Sequence, residues 1–240
     1  MKSPVLAICA CVALASPAFS QNVEWDTIGP NHSGEFGNFL NFYSENKNLV
    51  VTSWGYTKGT SNTAFEAARG SQYTIGMGVS NAEESTGNPD HQMDNGGADD
   101  WMLFYFDEMV GNATVTIDPY GSYDRDVTYY TATLDGPVDL TNLTYADLMA
   151  LGFSARHDSY STVSGDAREV AIADSPGGFN AILFGAWQGE PSSDSLDCFK
   201  ISGVSATYTG APNPHNSTIP EPSTAWLGLL GSLALLRRRR

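Results

Sequence analysis

Cysteine is scarce: the 240 residues hold three, Cys9, Cys11 and Cys198. The first two lie in an apolar leader, so Cys198 is left without an intrachain partner and no disulfide framework is expected. In the apolar-alternating stretch around it, Cys198 reads as a small buried hydrophobe. Basic residues are also few, 12 Lys and Arg against 27 Asp and Glu, for a net charge of -15. Lys2, Arg237–Arg240 and Glu221 lie at the ends, so the stretch from Gln21 to Thr218 has 12 − 5 = 7 basic and 27 − 1 = 26 acidic residues. A surface of that sign repels phosphate backbones and excludes nucleic acid as a partner. Catalytic signatures are missing too: there is no H-E-x-x-H, G-x-S-x-G, Walker loop or C-x-x-C. Gly76-Met-Gly78 lacks the third glycine of a dinucleotide loop. The expectation is a non-enzyme. A glycoside-active enzyme is a distant third reading, since two carboxylates suffice for that chemistry and an acidic surface supplies many.

What is present is clearest at the ends. Lys2, the apolar run Val5–Leu14 and Ala18-Phe19-Ser20 follow the order of a secretory signal peptide, residues 1–20, cut before Gln21 by signal peptidase. At the other end Pro220-Glu221-Pro222-Ser223 precedes a 12-residue apolar run, Ala225–Leu236, and then Arg237, Arg238, Arg239 and Arg240. A run of that length falls short of the roughly 20 residues that span a bilayer, so permanent anchoring is not expected. The arginines favour the cytoplasmic side. The order P-E-P-S, short apolar helix, basic tail resembles the PEP-CTERM sorting signal of Gram-negative bacteria. That resemblance implies processing by a membrane exosortase over residues 219–240. It also implies export through the inner membrane, transient anchoring, and delivery to the cell surface or extracellular matrix. Residues 210–218, rich in Pro, Asn and Ser, read as a flexible tether.

Between these ends nine short strand-like runs alternate with Gly, Asn, Asp and Ser clusters. They are Asn38–Tyr43, Leu49–Tyr56, Gln72–Val79, Trp101–Asp107, Ala113–Asp118, Asp126–Leu134, Glu169–Ala173, Asn180–Trp187 and Asp197–Tyr208. Trp101–Phe106 is apolar at every position, which predicts burial of both faces. In the last run Phe199 and Ile201 fall out of phase with Val204, Ala206 and Tyr208; a bulge at Ser202-Gly203 would return all five to one face. Helical spacing occurs only over Leu143–Gly152, with Thr144 or Thr141 as cap and Gly152 after the end. The pattern predicts an all-β domain, residues 21–209: a single antiparallel β-sandwich of jelly-roll type. Gly76-Met-Gly78-Val79, His91-Gln-Met-Asp94-Asn95 and Asp100–Asp107, in that order, also resemble the ectodomain of exosortase-dependent bacterial surface proteins, which implies a secreted domain without an assigned biochemical role.

Two groups of residues are candidates for chemistry. Asp90, Asp94, Asn95, Asp99 and Asp100 sit on a Gly-containing stretch and offer the hard oxygen ligands that Ca²⁺ takes. Their spacing is not that of an EF-hand, and a solvated loop closed by Asx-turns explains the same residues; a sugar-contacting loop is a third reading. Trp54, Tyr56, Tyr120 and Tyr123 stand beside Gly, Ser or Asp, where aromatic rings serve as sugar platforms or pack into a core. The expected role is a structural or adhesive surface or matrix protein. The alternative is a carbohydrate-binding module for extracellular polysaccharide.

Overall fold

The computed structural model describes residues 20–58, 63–84, 91–162, 165–188 and 196–210. The expected signal peptide, the expected sorting segment 219–240 with Pro220–Ser223 and Arg237–Arg240, most of the expected tether, and Asp90 lie outside them. The described chain is all-β, with thirteen strands and one short helix. The strands are β1 (Gln21–Asp26), β2 (Phe39–Ser44), β3 (Lys47–Tyr56), β4 (Phe65–Ala67), β5 (Arg69–Tyr73), β6 (Gly76–Ser80), β7 (Met93–Asp94), β8 (Asp99–Asp118), β9 (Val127–Ala132), β10 (His157–Ser159), β11 (Arg168–Ala171), β12 (Phe179–Ala186) and β13 (Cys198–Tyr208). Every pairing between them is antiparallel.

The organising element is β8, 20 residues long. Its first half pairs with β3 and β12, and its second half with β13 and β11. Between the halves Asp107 and Glu108 are exposed and Asn112 takes a positive φ of 46°. The sequence breaks its pattern there, which is why it reads as two strands; the backbone instead carries one strand through the break. Side chains from both halves meet in one core. Met102, Phe104 and Phe106 join Val115 and Ile117, closed by Ile182 and Phe184 of β12 and by Val204, Ala206 and Tyr208 of β13. The Trp25 and Phe106 rings lie 5.5 Å apart across this layer, and Phe184 and Phe199 6.2 Å apart. The two halves thus form the facing layers of a sandwich although they belong to one hydrogen-bonded sheet.

The alternate residues of the same strand face the other way. Trp101, Leu103 and Tyr105 enter a second cluster with Tyr56, Phe65, Tyr130, Leu140, Leu148 and Phe153. Helix α1 (Tyr145–Ala150) and its flanking loops cover that face, with Leu148 buried. Thr144 starts the helix, and its backbone N and Oγ1 both donate to Asp147 Oδ2 at 2.8 Å. Two cores on opposite faces account for the uninterrupted apolar run Trp101–Phe106. Each large side chain buried there contributes about 1.5–3 kcal/mol.

The register of β13 on β8 shifts between Ile201 and Gly203, and Phe199, Ile201, Val204, Ala206 and Tyr208 all enter the sandwich core, as the bulge requires. Gln72–Val79 is not one strand: the chain turns at Thr74-Ile75 and forms the β5–β6 hairpin. Among the described residues no helix is long and apolar enough to cross a membrane.

Candidate functional site

The acidic stretch 94–100 is not a solvated loop. Asp94, Asn95, Asp99 and Asp100 are all buried, and their side chains diverge to three destinations. Asp100 accepts from Asn81 Nδ2 at 3.1 Å and from the Asp94 backbone N at 3.3 Å. Asp94 Oδ1 accepts from Gly96 N at 2.7 Å. Asp99 meets Lys58 Nζ at 2.5 Å and accepts from Tyr145 Oη, which itself accepts from Trp101 Nε1. Asn95 turns the opposite way and binds Asp197 reciprocally. Its Nδ2 donates to Asp197 Oδ2 at 2.7 Å, and its Oδ1 accepts from Asp197 N at 3.1 Å. A single ion shared by all four is therefore not what the geometry offers. Burial forces each carboxylate to find its own donors, and the donors lie in different directions.

The carboxylates regroup with residues distant in sequence. Oxygens of Glu84, Asp94 and Asp100 lie within 4.8 Å of one another, as do those of Asp124, Asp126 and Asp197. Burial, with Glu84 and Asp94 alongside, holds the Asp100 carboxyl well above the usual carboxylate range. Burial likewise pushes Asp197 up to about 7 and raises Asp126, with neighbouring carboxylates adding to both shifts. Crowded buried carboxylates retain a proton or accept a cation. Three carboxylates meet only part of the six to eight oxygens of a Ca²⁺ shell. Local spacing brings together Asp94 with Asp100 and Asp124 with Asp126, but not the third member of either triad, Glu84 or Asp197, which the fold supplies from another segment.

The aromatic candidates separate cleanly. Tyr56 is buried and stacked on Tyr145 at 3.7 Å between ring centroids, so it belongs to the second core and not to a sugar platform. Trp54 is also nearly covered, with its Nε1 donating to Thr52 Oγ1 at 3.0 Å. It is one of the residues lining a cleft of about 280 Å³, with Phe39, Val138 and Asp139. Sheet register places both rings inward, which their Gly and Ser neighbours do not reveal. Tyr123 is partly buried in the turn after Gly121. Tyr120 alone of the four is substantially exposed, at 55%.

Tyr120 borders a pocket of about 410 Å³ with Tyr73, His91 and Lys200. Five stretches of chain line it, at Asn31, Tyr73–Ile75, His91, Tyr120 and Lys200, and the sequence explains the approach of three of them. A Cβ on Gly78 would overlap the His91 carbonyl, and one on Gly76 (φ 131°) would overlap Ile201 O. The two glycines let β6 pack against both the His91 segment and β13. Gln92, fully buried, accepts from Tyr120 N at 2.8 Å and donates weakly to Tyr120 O, fixing that turn beside His91. Lys200 lies on the face of β13 opposite Phe199 and Ile201. Its Nζ donates to His91 O at 2.8 Å and sits 4.1 Å from the Tyr73 ring centroid. Burial lowers the Lys200 ammonium to about 8. A lone Lys in an apolar strand reads as solvent-facing, so sequence reasoning passes over it.

Comparison with protein-family models, curated proteins and solved structures found no match for the chain.

Proposed function

We propose that the chain is an exported, exosortase-processed surface or extracellular-matrix protein with a structural or adhesive role. Export and processing rest on the resemblance of the two ends, and the structural observation that supports the adhesive role is the edge strand β2. Among the described residues it pairs with β3 alone, leaving one edge outside any ladder. Its residues Phe39–Ser44 bear no charge in a chain of net charge -15. Phe39 and Tyr43 are 60% and 76% exposed, while Leu40 and Phe42 pack inward on the sandwich core. Soluble proteins usually guard such an edge with charge or proline, because an open uncharged strand is a template for pairing. An acidic protein that must cohere needs one surface where copies approach without repulsion, and β2 supplies it.

Sedimentation velocity over a concentration series tests this. Wild type should self-associate weakly, and more strongly as salt screens the acidic surfaces. Asn41 is exposed at the centre of β2, so Asn41→Lys should abolish association with the melting temperature unchanged. A wild type that stays monomeric at all concentrations and salts would refute this role for β2. Carbohydrate binding is the second reading, favoured by the exposed Tyr120 ring at the mouth of the pocket that holds Tyr73 and His91.

A further inference from the structure

The Lys200 pocket carries an inference that rests on the carbohydrate reading and narrows it. Lys47, Lys58 and Arg156 each have a carboxylate oxygen within 2.8 Å, while Arg69 and Arg168, which have none among the described residues, are only partly buried. Lys200 is only 1% exposed, yet among the described residues no carboxylate lies within ion-pair distance of it. Its contacts are the His91 carbonyl and the Tyr73 ring. Burying an ammonium without a counter-ion costs several kcal/mol. In a chain this rich in Asp and Glu, a structural lysine would readily acquire one.

The pocket around it completes the argument. Among the described residues its lining includes Asn31, Tyr73, Thr74, His91 and Tyr120 with Lys200, and no Asp or Glu. It is a positive, aromatic-walled recess in an acidic molecule, and its volume of about 410 Å³ falls in the range of small-ligand sites. Tyr73 and His91 meet edge to face at 5.1 Å, and His91 and Tyr120 lie 6.5 Å apart. The rings therefore form a continuous wall from the buried cation to the exposed Tyr120. Asn31 and Thr74 add amide and hydroxyl groups at the rim, suited to sugar hydroxyls.

We propose that this pocket binds a carboxylated sugar, its carboxylate directed to Lys200 and its ring lying against Tyr120. A uronate matches each feature: an anion for the buried cation, an apolar ring face for the aromatic wall, and hydroxyls for the polar rim. The ammonium keeps most of its charge at neutral pH even with its proton affinity lowered. Repulsion from the acidic surface disfavours long anionic polymers at low salt, so a short oligosaccharide is the better probe.

The test is calorimetric titration of the purified chain with trigalacturonate, maltotriose and acetate. Trigalacturonate should bind, with maltotriose and acetate at least tenfold weaker. Lys200→Met, which keeps the aliphatic stem, should lose at least tenfold in affinity without a lower melting temperature. Tyr120→Ala should weaken binding about threefold or more. If Lys200→Met does not fold, Asn31→Asp at the exposed rim replaces it and should weaken trigalacturonate binding at least threefold. Equal binding of trigalacturonate and maltotriose overturns the proposal and leaves the carbohydrate reading standing. Acetate binding as tightly as trigalacturonate reduces the pocket to a plain anion site and overturns the sugar assignment. No binding of either saccharide overturns both.

Discussion

The crowded carboxylates should make this protein less stable as pH rises, the reverse of a protein held together by salt bridges. Asp197 is the informative group, because burial raises it to about 7 from an unfolded value near 3.9. Its folded form therefore binds a proton that the unfolded chain has released. The associated stability is fully present below about pH 4 and is lost as pH rises through about 7. Between pH 5 and pH 8 the full shift corresponds to about 2.6 kcal/mol; halving it for solvent screening leaves about 1.3 kcal/mol. For a domain of this size that is a fall in melting temperature of about 3–5 °C. Asp100 and Asp126 are displaced in the same direction and add to the slope. The assay is a set of circular-dichroism melts at pH 5, 6, 7 and 8, at fixed ionic strength in EDTA. General acidic self-repulsion also destabilises the folded state at high pH, so Asp197→Asn is the control. It changes the net charge by one but should flatten the slope, whatever its absolute melting temperature. Repeating the series in millimolar Ca²⁺ should flatten the wild-type slope if a triad accepts the ion, and should leave it unchanged if the triads hold protons alone. A melting temperature that is constant or rises with pH in EDTA, or an Asp197→Asn slope equal to wild type, would refute the reasoning.

The close approach of β6 to the His91 segment gives further expectations. Gly78→Ala should cost about 1–3 kcal/mol, because the new methyl meets the His91 carbonyl, a backbone atom that cannot swing aside. Gly203→Ala, whose nearest contacts would be ordinary ones at 3.8 Å, should stay within about 0.5 kcal/mol. Urea denaturation of the two variants beside wild type checks both. Equal losses would show that the Gly78 contact does not constrain the fold.

Local pattern made much of the fold legible. The bulge at Ser202-Gly203, the two-faced burial of Trp101–Phe106 and the short helix after Thr144 each follow from periodicity within a dozen residues. What periodicity could not reveal was continuity: Asp107 and Glu108 interrupt the apolar pattern of β8 while the backbone continues unbroken. The candidate sites fared less well for a related reason. Asp94, Asn95, Asp99 and Asp100 look like one polar loop because acids and glycines usually stay in water. Here Asn81, Lys58, Tyr145 and Asp197, from other segments, draw them inward. Trp54 and Tyr56 sit beside a glycine, yet register turns both into the molecule, whereas Tyr120 is exposed. That no carboxylate of the described residues reaches Lys200 is a fact about what surrounds it, and the sequence places its neighbours 80 to 127 positions away, at Tyr120, His91 and Tyr73.

The central claim is that this sandwich is delivered to the cell surface or matrix by removal of both its ends. Intact-mass measurement of the surface-associated form, from a Gram-negative host that carries an exosortase, tests it most directly. The account predicts a species that begins at Gln21 and lacks Arg237–Arg240. A stable surface species that retains Met1–Ser20, or one that ends at Arg240, would contradict it.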